Sequence, residues 1–223
     1  MLSSPASTTI NTTQECPLDL DYVLTIPWNN SDCTNSQNPN SPLSRTSGSQ
    51  SLLSLFGIAL SKYLQRSSPF YLPNLSTSIS CLQSFQSKLN TLLLDPILTS
   101  LCFDPLLFAT SPNICAAIQT TDDWVWTVGN STALYSSCRS DLTVPTSCDA
   151  CVAVGFRVQS QLIVVDGNLS HATNCFYFSV LYVAGVVNDY GPESAGAISC
   201  IFGFSIRPKR GSSGNRAPLI LSG

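Results

Sequence analysis

Four groups of residues in this 223-residue chain carry side chains able to do chemistry. The first is Cys148-x-x-Cys151, the spacing of a redox pair or of half a zinc site. A redox pair needs a βαβ setting, and zinc needs a second ligand pair at suitable spacing. Neither is visible, so structural disulfides are the expected use of these thiols. The second is His171, the only histidine, which catalysis would require beside a nucleophile and an orienting carboxylate. It follows the turn-forming Asp166-Gly167-Asn168 and is expected to be a surface residue. The third is Asp122-Asp123; adjacent carboxylates usually point apart, so an acidic helix start is preferred over a glycosidase pair. The fourth is aromatic: Trp28, Trp124, Trp126 and Tyr190 could meet a ligand, the tryptophans by stacking on sugar rings, against the alternative of packing on disulfides or supporting the core. No cofactor and no metal site is expected.

The elements that must hold these groups are mostly helical. Leu52, Leu53, Phe56, Leu60, Tyr63 and Leu64 recur at helical spacing and predict a helix over 50–66, after a long loop over 29–50. Cys81, Leu82, Phe85, Leu89 and Leu92 predict another over 77–93, and a short helical turn fits 97–101. The segment 16–28 reads as mostly extended, and Trp124 and Trp126, two apart, suit one face of a strand, with a helix start as the alternative. Further helices are expected over 148–164 and over 176–187, the latter apolar on every side and central. A closing strand is expected over 197–206. The fold class is therefore mainly α with a minor β component, stapled by disulfides. Residues 1–15 are expected to be a disordered lead, 16–206 the folded domain with two halves meeting near 105–120, and 207–223 a linker or tail.

Composition places the chain in the secretory pathway. Ten cysteines (16, 33, 81, 102, 115, 138, 148, 151, 175 and 200) spread across the folded stretch, an even number suited to an oxidising compartment. Only 10% of residues are charged, against about 25% in average proteins. Five sequons, at Asn11, Asn29, Asn74, Asn130 and Asn168, are candidate glycosylation sites. The net charge of −3 lacks the basic stripe that nucleic acid or an anionic membrane would demand. The start lacks the features of a signal peptide, and no apolar run is long enough to cross a bilayer, so the chain is expected to be a piece of something longer. Membrane attachment would then come only through a segment outside it. Cys102 and Cys115, neighbours in sequence, are expected to pair.

Several motifs occur in order: Cys16-Pro-Leu-Asp-Leu-Asp-Tyr-Val-Leu-Thr-Ile-Pro-Trp28, Leu52-Leu-Ser-Leu-Phe-Gly57, Cys102-Phe-Asp-Pro105 and Ser111-Pro-Asn-Ile-Cys115. Cys148-Asp-Ala-Cys-Val-Ala-Val-Gly-Phe-Arg-Val-Gln159 and Ser199-Cys-Ile-Phe202 complete the set. Together they resemble the SPARK ectodomain of plant receptor-like kinases, over roughly residues 16–204. The resemblance implies a non-catalytic extracellular domain, on the outer face of the plasma membrane, in a protein whose transmembrane helix and Ser/Thr kinase lie outside this chain. It implies an extracellular carbohydrate or peptide ligand, or a co-receptor ectodomain, as partner; some family members act in symbiosis. A stand-alone secreted or lipid-anchored lectin-like defence protein is the alternative. Relatives place a cysteine pair before Leu52, where this chain has Gly48-Ser49, which leaves Cys33 without an inferred partner. The run from Cys138 to Cys151 is also similar to the cysteine signature of ginkbilobin-like domains, with one extra residue. That likeness implies Cys138–Cys148 and Cys151–Cys175 bridges, and an alternative fold of helices on an antiparallel sheet. Partners for Cys16, Cys81 and Cys200 stay open. The Asn188–Ser194 turn, free of sequons and carrying Tyr190, is expected to border the recognition surface.

Overall fold

The computed structural model describes residues 15–26, 42–109, 115–129 and 132–204, with the main chain alone for 42–49. Asn11, Trp28, Asn29, Cys33 and Asn130 lie outside the described residues. Among the described residues seven α-helices follow in order: α1 Pro42–Ser67, α2 Leu75–Thr91, α3 Leu98–Cys102, α4 Thr121–Val128, α5 Thr132–Cys138, α6 Pro145–Asp166 and α7 Ala172–Tyr182. The helix α7 runs on without a break into a π-helical turn, Val183–Val187, and a second π turn spans Ala197–Ile201. Among the described residues, β structure is confined to two isolated bridges, Pro69 with Thr120 and Leu72 with Ala109. The fold is mainly α, and the sheet of the alternative is not favoured.

Three expectations are corrected. Residues 42–49, read as loop, already belong to α1, which opens on Pro42; proline suits a first helical position, where its missing N–H is not needed. The segment expected to be extended over 16–28 closes into a 3-10 turn at Asp21–Leu24. The closing strand is a π turn at Ala197–Ile201. Of the two readings of the Trp124–Trp126 segment, the helix start holds. Thr120 Oγ1 accepts from the Asp123 N–H at 3.2 Å while Asp123 Oδ2 accepts from the Thr120 N–H at 2.9 Å. This capping box satisfies two donors that a helix start leaves open.

One core cluster runs from Leu18 to Phe202 and passes through the 105–120 region, with α1 packed on α7 and on its π turn. Close approach there depends on a missing side chain. A Cβ on Gly185 would lie 2.4 Å from the Ser61 carbonyl oxygen. The helix α1 has Ser61 at the contact and Gly57 one turn before it, and Ser61 Oγ folds back to donate to Gly57 O at 2.9 Å. Small residues on both partners let the two backbones touch. Around this crossing Phe178, Phe70, Trp124 and Tyr182 form a continuous aromatic stack, with centroid separations of 4.5, 5.9 and 4.4 Å.

Candidate recognition surface

Tyr190 stands on a turn that is fixed from three sides. The side chain of Asn188 is buried; its Nδ2 donates to Cys138 O at 2.7 Å and to Ser140 O at 3.0 Å. Its Oδ1 accepts from the Tyr190 N–H at 3.1 Å. Asp189 pairs with Arg139 at 2.8 Å, and its N–H donates to Arg139 O. Gly191, at φ 75°, supplies the left-handed residue that closes the turn. Glu193 then pairs with Lys62 of α1 at 2.6 Å, and the same ammonium holds Asp19 at 2.8 Å. Burial pulls the Lys62 pKa down, but its bonds to Asp19 and Glu193 outweigh that and leave it raised. The bond from Lys62 also lowers Asp19. Tyr190 itself is 62% exposed on this frame. An aromatic ring held outward by a rigid turn presents contact area at little entropic cost.

The tryptophan pair does not form one face. Two positions along a helix point in opposed directions, so Trp124 is 0% exposed within the aromatic stack while Trp126 is 92% exposed. Trp124 is a core residue, and of this pair Trp126 is the exposed one. Among the described residues the buried Trp124 indole N–H meets no acceptor.

His171 is half-buried rather than a plain surface residue. Its Nδ1 lies 2.8 Å from Oδ2 of Asp166, a carboxylate only 2% exposed, whose other oxygen accepts the Ala116 N–H. An Asp–His pair is the orienter and base of a nucleophilic triad, but the position a nucleophile would take is filled. His171 Nε2 faces Asn168 Nδ2 at 3.1 Å. The pair fastens the end of α6 to the loop after Cys115. Among the described residues no group of three His, Cys, Asp or Glu could hold a metal ion.

All three expected bridges are corrected. The disulfides are Cys16–Cys81, Cys115–Cys175, Cys138–Cys151 and Cys148–Cys200. Cys148 and Cys151 sit one turn apart on α6, so each meets a different neighbour. Cys151 faces the end of α5, with its Cα 4.6 Å from that of Cys138. Cys148 meets the second π turn at Cys200, 5.7 Å between Cα atoms. Cys175, on α7, ties the loop at Cys115 rather than Cys151. Cys102 closes α3 and is the one described cysteine outside a bridge, Cys115 being taken by Cys175; burial raises the Cys102 thiol pKa. Sequence reasoning placed Asn188 and Asp166 in turns without the anchoring roles of their side chains, and it missed Lys62 and Arg139. The Lys62–Glu193 pair joins residues 131 apart in sequence, beyond any local signal.

Helices joined by interleaved bridges, with an aromatic turn tied to α1 and to the end of α5, define a disulfide-stapled helical domain. The SPARK family model matches residues 10–176, and the chain belongs to the SPARK family. It is 54% identical over 209 residues to a probable receptor-like protein kinase of Arabidopsis thaliana, an alignment that covers 94% of this chain and 33% of that relative. The chain thus spans one third of the length of the curated relative it matches. No solved structure matches it.

Proposed function

We propose that this chain is the extracellular recognition domain of a receptor-like Ser/Thr kinase, and that the Tyr190 turn borders the surface that meets its ligand or co-receptor. The observation that carries the first half is the 54% identity to part of a receptor-like protein kinase, with the remaining two thirds of that relative outside the alignment. Four disulfides support an extracellular setting. The second half rests on Tyr190, exposed on a turn tied to α1 and to the end of α5. A role in symbiosis rests on the family resemblance alone.

Reading the transcript past Gly223 tests the first half. An apolar span followed by a kinase glycine loop is expected; a stop codon would refute it. A photoreactive phenylalanine analogue in place of Tyr190, in the full-length receptor on living cells, tests the second. A discrete covalent adduct is expected from Tyr190 and none from the same probe at Leu93. Absence of any adduct from Tyr190 at normal surface expression refutes the placement. Glu193→Asn with Ala195→Thr creates a sequon on the same turn, and undiminished partner binding with the added glycan in place would do the same.

A further inference from the structure

The last turn of α6 leaves large aliphatic side chains in water. Val164 is 80% exposed, Val165 is exposed beside it, and Leu169, just past the Gly167 cap, is 79% exposed. Single exposed aliphatics are ordinary, but a contiguous group marks a surface that something covers. Leu169 is itself the middle residue of the sequon Asn168-Leu169-Ser170. The patch and the acceptor therefore share one turn.

The acceptor is held in a conformation that tolerates a sugar. Asn168 is exposed, and its Oδ1 accepts from the Ser170 N–H at 3.0 Å and from Ser170 Oγ at 2.8 Å. With Nδ1 of His171 donating to the Asp166 carboxylate, Nε2 is the acceptor that receives one Asn168 Nδ2–H. The amide has two such hydrogens, so one stays available for substitution while the other keeps its bond to His171. The carboxylate, imidazole and amide thus aim the modified nitrogen from a 2%-exposed anchor, Asp166.

We propose that Asn168 carries an N-linked oligosaccharide whose first sugars lie over Val164, Val165 and Leu169, making the glycan the cover of this apolar turn. Its formation joins Nδ2 of Asn168 to C1 of the sugar. The bond broken is C1–O in a lipid-linked pyrophosphate oligosaccharide; the pyrophosphate leaves with the electron pair, and the amide proton passes to a base of the transferase. A pyranose ring offers C–H groups on its faces to aliphatic side chains and hydroxyls to water, which suits an apolar patch on a solvated turn. A glycan here also excludes a protein partner from this end of α6, because an interface cannot hold a mobile sugar at its centre.

The test uses the chain expressed through the secretory pathway. Enzymatic glycan release in heavy-oxygen water, followed by peptide mass spectrometry, is expected to find Asn168 converted to labelled Asp in most secreted molecules. Ser170→Ala removes the acceptor signal and keeps the Asn168 amide for His171. It is expected to raise binding of an apolar fluorescent dye several-fold, whereas Ser76→Ala, which removes the Asn74 sequon, leaves it unchanged. Should Ser170→Ala not be secreted, stepwise trimming of the folded glycoprotein gives the same reading, with dye binding rising as the first sugars are lost. An unoccupied Asn168, dye binding that ignores the glycan, or a second copy or other protein seated on Val164 and Val165 in the glycosylated molecule would each overturn the proposal.

Discussion

Replacing Gly185 by alanine tests the packing at the centre of this fold. The added Cβ would lie 2.4 Å from Ser61 O, 3.1 Å from Ser61 C and 3.4 Å from Ser61 Cα. Ordinary contact begins near 3.4 Å, so α1 and the π turn must part by about 1 Å. All three colliding atoms are main chain, so no rotamer change at Ser61 relieves them. Overpacking of a tight core costs about 1–3 kcal/mol. A domain of this length shifts its midpoint by roughly 2–4 °C per kcal/mol, which gives a fall of about 2–12 °C. Gly155, inside α6, is the control: nothing lies within 4 Å of its added Cβ. Alanine there should gain about 0.5–1 kcal/mol through helix propensity alone, a rise of roughly 1–4 °C. Thermal melts of the two secreted variants against the parent, followed by circular dichroism at 222 nm (about the helical minimum), decide the matter. A Gly185→Ala protein that melts within a degree of the parent would refute the backbone contact between α1 and the π turn.

Other outcomes follow from the same structure. Trp124→Ala should cost about 3–5 kcal/mol, since it opens the aromatic stack, and Trp126→Ala should change stability by less than about 0.5 kcal/mol; urea titrations read both. An aqueous quencher should reach Trp126 fluorescence and spare that of Trp124. Non-reduced peptide mapping should return Cys16–Cys81, Cys115–Cys175, Cys138–Cys151 and Cys148–Cys200. By the loop-entropy relation, removing the 52-residue bridge should cost about 4 kcal/mol and the 13-residue bridge about 3. The pH dependence comes from Asp123, whose bond from Thr120 first, then those from the Gln119 and Thr120 N–H groups, lower its pKa below the ordinary 3.8. A lowered folded pKa means that the unfolded chain takes up the proton first. The contribution is complete above pH 3.8 and is lost as pH falls through the folded value, so Asp123→Asn should flatten the stability slope below that point.

Much of the architecture was legible in local pattern. The stripe Leu52, Phe56, Leu60 and Leu64 announced α1, and Cys81, Phe85 and Leu89 announced α2; all seven are buried. Patterns of period 3.6 survive folding because they record which face is hidden. The Trp124–Trp126 spacing left strand and helix both open because two residues cannot distinguish a strand face from opposite sides of a helix. The arbiter was Thr120 with Asp123, a capping box legible in sequence once the helix is considered. The bridges were illegible for a different reason. Which of Cys148 and Cys151 meets Cys138 depends on how α6 is rotated against α5, a property of packing with no local trace. The Tyr190 turn was visible from Gly191 and Pro192, but its anchors on Lys62, Arg139 and Cys138 come from distant sequence.

The interleaving of the bridges on α6 has a consequence for biosynthesis. Chain growth delivers cysteines in order, so Cys148 meets the waiting Cys138 thiol three residues before Cys151 exists. The partner that Cys148 keeps in the finished domain, Cys200, arrives only 52 residues later. Until then Cys148 is an unpaired competitor one helical turn from the correct residue, and Cys138–Cys148 is the linkage most readily closed. Reaching the final set then requires the Cys151 thiolate to attack the Cys138 sulfur of that bridge and release the Cys148 thiol, an exchange that consumes no oxidant; closing Cys148–Cys200 afterwards takes a separate two-electron oxidation by an external disulfide. The maturation of this domain accordingly includes an editing step, and its yield should depend on disulfide isomerase for the exchange as well as on oxidant for the last bridge.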